Sequence, residues 1–169
     1  MNQTLYLLRH AKSEPWSPGI NDFGRTLNER GKKHMAILSS WMLKNLPAPK
    51  VVLCSASCRT RETLKPFAEK WLETEPNTVY LDEIYEASAG TLHSLAGNAF
   101  ESSSTVMMVG HNPGFEYLAL GLTADSETAD ITKMATGTLA VIDFPNGYVQ
   151  DSGEGVLRHW VTRKSLSGE

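Results

Sequence analysis

The chain has 169 residues, of which 41% are hydrophobic and 21% are charged, and its formal net charge is -3 at pH 7. This length and composition are typical of one globular domain with one core, so we expect residues 1–169 to form a single domain. The net negative charge argues against a nucleic-acid-binding protein, which usually carries a basic surface. The sequence shows no charged-then-apolar leader and no apolar stretch of about 18 residues, so we expect a cytoplasmic protein without a membrane span.

The first apolar run of the chain ends in an arginine and a histidine. Leu5 to Leu8 form an uninterrupted apolar segment, which predicts a buried strand. Arg9 and His10 follow it directly, and the polar, proline-containing stretch beyond them predicts a loop. Both side chains are therefore expected where a strand leaves the core.

Helices and strands are predicted to alternate over the middle of the chain. The apolar patterns predict a helix over 28–45, a strand over 50–55, a helix over 59–73, a strand over 78–81 and a short helix over about 91–100. The first helix carries Met35, Ile37 and Leu38 on or near one broad apolar face. Pro66 is expected in the first turn or two of the second helix, where proline is tolerated.

The last third of the chain repeats the opening pattern and then predicts two more strands. An apolar strand over 105–109 ends in Gly110 and His111, and a helix is expected to begin at Pro113 with Asn112 as its N-cap. Strands are also predicted within 138–144 and 156–163, with a turn around 145–147. The whole pattern predicts an α/β protein, a three-layer sandwich whose mostly parallel central sheet is finished by an antiparallel hairpin or edge.

Polar clusters follow three of the predicted strands, at 9–10, 55–61 and 111. Ligands of open α/β sheets bind beyond the carboxyl ends of the strands. Taken singly, each arginine or histidine has an ordinary structural explanation. Two of each at one sheet edge instead indicate an anionic ligand, most simply a phosphoryl group, because guanidinium groups match phosphate oxygens in geometry and charge.

Cys54 and Cys58 lie four residues apart, and three interpretations are open. They could form a disulfide, half of a metal site, or two packed thiols in a reducing compartment. The packed thiols are favoured because no second pair of Cys or His residues at metal-ligand spacing occurs.

Three segments resemble the motifs of the histidine phosphatase superfamily, also called the phosphoglycerate-mutase-like fold. The segments, in chain order, are LLRHAKS, CSASCRTRETL and VMMVGHNPGFEYL. The first resembles the RHG-type signature, with Ala11 at a position where the family usually has glycine. The second resembles the S-x-x-x-R-x-x-x-T element on Ser55, Arg59 and Thr63, and the third resembles the second-histidine motif.

The resemblance implies a role for four of these residues. His10 would be the nucleophile that becomes phosphorylated, and Arg9 and Arg59 would hold the equatorial oxygens of the phosphoryl group. His111 would donate to the same oxygens and stabilise the transition state. No cofactor and no metal is implied, because arginine and histidine donors can supply the charge that metal ions supply elsewhere in phosphoryl transfer.

The sequence also offers candidates for a general acid and for an accessory substrate-binding residue. In many family members a carboxylate after the third strand protonates the leaving oxygen, and Glu83 matches that position best, with Asp82 and Glu86 as alternates. The competing interpretation is that these are ordinary solvated carboxylates. Ser13 also lies close to the predicted pocket and is a candidate substrate-binding residue, whereas an exposed ion pair is expected for Arg61.

The segment between the second and third motifs indicates a branch of the family. Members that act on sugar phosphates or phosphoglycerates carry a long insertion there, whereas a helix, a strand and a short helix already fill it in this chain. This minimal, capless form resembles the SixA group, whose activity is removal of phosphate from phosphohistidine on a phosphorelay or other signalling protein. The implied partner is therefore a phosphorylated protein. A small-molecule phosphomonoesterase acting on a phosphate ester is the alternative, and a phosphate-binding module that has lost catalysis is a third possibility.

Overall fold

The computed structural model describes residues 1–124, 131, 133–149 and 153–168. The strands are β1 (Gln3–Arg9), β2 (Val51–Ser55), β3 (Asn77–Leu81), β4 (Thr105–Gly110), β5 (Leu139–Phe144) and β6 (Val156–Val161). The helices are α1 (Glu29–Asn45), α2 (Cys58–Lys70), α3 (Ala89–Phe100), α4 (Gly114–Leu122) and α5 (Arg163–Ser167). Short 3₁₀ helices cover Asp22–Gly24 and Asp82–Ile84.

All six strands belong to one sheet, in the order β3-β2-β4-β1-β5-β6. The first four are mutually parallel, whereas β5 runs antiparallel to β1 and β6 runs antiparallel to β5. The predicted α/β fold, with a mostly parallel sheet finished by an antiparallel pair, is confirmed. Arg9 pairs with Gly110, so β1 and β4 end at the same level and deliver their following residues to one edge.

The sheet is covered on both faces, as a three-layer arrangement requires. Side chains alternate along β1, so Leu5 and Leu7 face a core shared with α3 and α4, whereas Tyr6 and Leu8 face a core shared with α1 and α2. Each fully buried leucine of this kind stabilises the fold by about 1.5–3 kcal/mol relative to an exposed one. Burial on both faces fixes β1, and with it the residues that follow its end.

Three local predictions were wrong. Ile37 is 57% exposed, because it lies outside the sector of α1 that buries Met35 and Leu38. Pro66 lies in the third turn of α2, inside the helix, so the turn before it lacks one backbone hydrogen bond. The N-cap of α4 is Pro113, but the Asn112 side-chain oxygen still accepts the backbone N–H of Glu116 at 3.3 Å, so Asn112 satisfies a first-turn donor from one residue further out.

The two cysteines are free thiols. Burial raises the pKa of Cys54 to about 12, so its thiol is un-ionised at neutral pH. Among the helices that the structure describes, none has the length and apolar character needed to cross a membrane.

Candidate active site

The backbone around His10 is held by two other parts of the chain. The amide of His10 donates to the carbonyl of Gly110 at 3.0 Å, which extends the pairing of β1 with β4 by one residue. The amide of Gly137 donates to the carbonyls of both Arg9 and His10, at 3.1 and 2.9 Å. His10 is therefore fixed between the end of β4 and the turn that precedes β5.

The loop after His10 is tied to the two helices on one face of the sheet. The Ala11 amide donates to the Thr63 hydroxyl at 3.0 Å, and that hydroxyl donates to the carbonyl of Arg59 at 2.7 Å. On α1, a Cβ atom placed on Gly31 would lie 2.2 Å from the carbonyl oxygen of Lys12. Only glycine permits this approach, which brings the first turn of α1 against the backbone beside the site.

The His10 imidazole is neutral and has one nitrogen available for chemistry. Its Nδ1 lies 2.8 Å from the carbonyl oxygen of Ala11, and a carbonyl can only accept, so the hydrogen-bond network assigns the ring proton to Nδ1. The lone pair is then on Nε2. Burial, followed by the charges of Arg59 and Arg9, lowers the pKa of His10 to about 4. At neutral pH the ring can therefore act as a nucleophile without a separate base.

His111 follows β4 and faces His10, with their ring centroids 5.4 Å apart. Its Nε2 lies 2.8 Å from the hydroxyl oxygen of Ser55, which also accepts the amide of Ser57 at 3.5 Å. In the tautomer whose ring proton lies on Nδ1, Nε2 of His111 accepts the Ser55 hydroxyl proton. Nδ1 is buried and has no partner among the described residues. In that tautomer Nδ1 is a donor for a ligand.

The two arginines each use part of the guanidinium to hold the protein and leave part unused. Arg9 donates from Nη1 to the Met134 carbonyl at 2.7 Å, and Arg59 donates from Nη1 to the Asp22 carbonyl at 2.7 Å. The Nε atoms of both arginines are buried without a hydrogen-bond partner in the part of the chain that the structure describes. An unsatisfied buried donor costs about 1–3 kcal/mol. Oxygen acceptors of an anion are the kind of partner that these Nε donors lack.

Asp22 and Tyr85 complete the site, and the sequence analysis missed both. The Asp22 carboxylate accepts Arg59 Nη2 at 3.1 Å and also accepts the Tyr85 hydroxyl. The Tyr85 ring meets the His111 ring edge-on, with centroids 5.4 Å apart. The hydrogen bond from Tyr85, more than the charge of Arg59, lowers the pKa of Asp22. This ionised carboxylate orients Arg59.

The structure brings together His10, Arg9, Arg59 and His111 but does not join the two remaining candidates to them. Glu83 is exposed in the 3₁₀ helix Asp82–Ile84 and makes no hydrogen bond or ion pair with those four residues. Ser13 forms an isolated antiparallel bridge with Leu27. Their roles stay predictions.

The Arg61 side chain does not form the exposed ion pair that was predicted from the sequence. Its guanidinium carbon lies 4.0 Å from the ring centroid of Tyr80, and its Nε donates to the Ala56 carbonyl at 2.8 Å. A cation-π contact therefore takes the place of the expected ion pair, because α2 carries Arg61 across the exposed edge of β3, where Tyr80 lies. Within residues 1–124, 131, 133–149 and 153–168, no group of three or more His, Cys, Asp or Glu residues could hold a metal ion.

Comparison with known proteins identifies relatives along nearly the whole chain. The sequence profile of the histidine phosphatase superfamily (branch 1) matches residues 5–114. The uncharacterized protein Rv1276c of Mycobacterium tuberculosis H37Rv is 34% identical over 156 residues, which cover 90% of this chain and 89% of that protein.

Solved structures agree with this match. A candidate SixA phosphohistidine phosphatase from Agrobacterium tumefaciens has a TM-score of 0.82 at 30% identity, covering 95% of this chain and 97% of that one. The protein histidine phosphatase SixA in complex with tungstate shares the fold, with a TM-score of 0.79 at 19% identity over 97% of this chain and 99% of that one. The chain therefore belongs to the histidine phosphatase superfamily and is a phosphatase of SixA-like form.

Proposed function

We propose that the chain hydrolyses phosphohistidine on a protein through a phosphorylated His10 intermediate. The observation that carries this proposal is the state of His10: a neutral ring with its proton on Nδ1 and a free lone pair on Nε2, facing His111 across 5.4 Å. Three buried donors without partners among the described residues, Arg9 Nε, Arg59 Nε and His111 Nδ1, supply the complementary charge and hydrogen bonds.

The reaction has two displacements at phosphorus. In the first, the Nε2 lone pair of His10 forms a bond to phosphorus while the bond to the leaving nitrogen breaks, and the leaving imidazole departs with that electron pair and takes a proton. In the second, water attacks phosphorus, the P–Nε2 bond breaks, and phosphate is released from a regenerated His10. Arg9, Arg59 and His111 stabilise the charge on the phosphoryl oxygens throughout.

Two features support a protein as the substrate. Between Arg59 and His111 the chain contains only the rest of α2, β3, a short 3₁₀ helix, α3 and β4, so no inserted segment encloses a small molecule. The loop that follows His10 and carries Asp22 exposes Trp16, Ile20 and Phe23, at 69%, 50% and 36%. Exposed apolar side chains beside an open site suit contact with a protein surface. The resemblance to a candidate SixA phosphohistidine phosphatase points the same way.

The nucleophile is tested by replacing His10 with alanine. We expect His10→Ala to abolish turnover and keep the fold, because the bond to phosphorus forms on this side chain. Brief reaction of the unaltered protein with radiolabelled substrate should leave acid-labile, alkali-stable phosphate on His10. Turnover within tenfold of the unaltered protein, or label found only on serine, would overturn the assignment.

The substrate class is tested by Glu83→Gln. An alkoxide leaving group needs a proton, and general acid catalysis is worth on the order of 10²–10⁴-fold, whereas solvent can protonate the imidazole that leaves from phosphohistidine. We expect a chain that prefers phosphohistidine to alkyl phosphates and loses less than about tenfold in kcat/KM on phosphohistidine in the variant. Glu69→Gln, an exposed carboxylate on α2, is the matched control.

The opposite result would identify a small-molecule phosphomonoesterase. Efficient hydrolysis of an alkyl phosphate by the unaltered protein, lost in Glu83→Gln but kept in Glu69→Gln, would make Glu83 a general acid. That outcome would retain the phosphohistidine intermediate and replace only the substrate.

A further inference from the structure

A second positively charged surface lies beside the catalytic site. It is a groove of about 490 Å³ between the first turns of α1, the start of α5 and the segment 133–136. The cationic side chains that line it are Lys12, Arg30, Lys133, Arg163 and Lys164. His34, Thr136 and Thr162 also line it, and no carboxylate of the described residues does.

This concentration of charge is not explained by the composition of the chain. The protein has 19 acidic and 16 basic residues, yet five of those basic residues line one groove. In the described part of the chain the ion pairs join Asp22, Glu29 and Asp143 to other cations, and none includes a cation of the groove. Among the described residues none of the five cations is paired with a carboxylate, and because like charges repel one another, the groove favours a bound anion.

His34 provides a second and independent observation. Its side chain lines the groove, the residue is 5% exposed, and its buried Nε2 has no hydrogen-bond partner within the described residues. The ring is held in place by the turn at Gly137, where φ is +73° and a Cβ atom would lie 2.5 Å from His34 Nδ1. An acceptor oxygen in the groove would satisfy Nε2 once that nitrogen carries the proton.

Two cations of the groove also act electrostatically on the His34 ring. Burial, and then the charges of Arg163 and Arg30, lower the pKa of His34 to about 4. Both guanidinium groups thus act on the ring from the groove. A bound anion would offset their field, so the His34 resonances are a direct reporter of occupancy.

We infer that this groove is a second anion-binding site, separate from the catalytic centre, for a multiply charged oxyanion of the phosphate class. Two guanidinium groups and three ammonium groups match a ligand with several oxygens and more than one negative charge. The two sites are close in the chain, because Lys12, which lines the groove, lies two residues after His10.

The inference is tested by binding rather than by turnover, so its failure and a failure of the proposed catalytic role are distinguishable. His10→Ala is titrated with inorganic pyrophosphate while NMR follows the imidazole signals of His34 and His111. We expect a saturable shift of His34, with an affinity at least about tenfold weaker in Arg30→Gln/Arg163→Gln, because this variant removes two charged hydrogen-bond donors from the groove. The control Lys44→Gln/Lys50→Gln removes two exposed charges outside the groove and should leave the affinity unchanged.

Three results would overturn the inference. The first is a His34 signal that stays unshifted while pyrophosphate shifts His111. The second is an equal loss of affinity in the Lys44→Gln/Lys50→Gln control, which would mean general charge screening. The third is equal binding of glutarate, a dicarboxylate of similar span, which would assign the groove to carboxylate ligands such as acidic peptides. A well-dispersed amide spectrum of each variant establishes that it is folded.

Discussion

Removing the Ser55 hydroxyl should weaken catalysis through His111. Ser55 is fully buried, and its hydroxyl, 2.8 Å from His111 Nε2, can donate to that nitrogen only in the tautomer whose ring proton is on Nδ1. In Ser55→Ala, Nε2 becomes a buried acceptor without a donor, which costs about 1–3 kcal/mol. The tautomer with its proton on Nδ1 is the one that donates to the phosphoryl oxygens, and this cost makes it less stable. The kcat/KM should therefore decrease by about 5- to 150-fold, since 1.36 kcal/mol corresponds to tenfold.

The assay compares two buried serines. Steady-state kcat/KM is measured for Ser55→Ala and for Ser57→Ala, whose hydroxyl bonds to Thr60 Oγ1 at 2.6 Å rather than to His111. Nitrogen-15 NMR of the His111 ring should show the proton on Nδ1 in the unaltered protein and a mixture of tautomers in Ser55→Ala. A kcat/KM of Ser55→Ala within twofold of the unaltered protein, or a proton on Nε2 before mutation, would refute the reasoning.

The remaining predictions concern pH and metal ions. Because burial lowers the pKa of His10 to about 4, kcat/KM should be constant at mildly acidic pH and fall only as the pH decreases through about 4; a midpoint near 6.5 in the rate profile would contradict this. The depressed pKa values of His10, His34 and His111 also mean that the unfolded chain binds more protons below pH 6.5, so the free energy of unfolding, measured with urea, should decrease from pH 6.5 towards 4. Activity should survive excess EDTA, since arginine and histidine supply the charge; loss on chelation with recovery on adding a divalent ion would disprove metal independence.

The central strands of the sheet could be predicted because short apolar runs in the sequence indicate them. The apolar run at Leu5 to Leu8 is buried as expected, and so is the run before His111. A short apolar run bounded by loop residues favours a strand of a covered sheet, and parallel strands deliver their ends to one edge. Placing Arg9, His10 and His111 at a common edge therefore needed no tertiary information.

The residues that orient the site could not be predicted in the same way. Asp22 meets Arg59 and Tyr85 from a loop without periodicity, across separations of 37 and 63 residues. The Met134 carbonyl, which holds Arg9, is a backbone atom and leaves no side-chain signature. Such contacts depend on how loops close over the sheet, which single-sequence patterns do not specify.

The position of β1 in the sheet has a consequence for the growing chain. Its neighbours are β4 and β5, so Thr4 pairs with Thr105 on one side and with Asp143 on the other. During synthesis, β1 leaves the ribosome before the other five strands, and it lacks β4 until Gly110 has been made and β5 until Phe144 has been made. Contacts of such large sequence separation form slowly, and β1 stays an unpaired apolar segment in the meantime. The sheet around β1 is therefore complete only when Leu139–Phe144 joins it, after every motif of the site has been made.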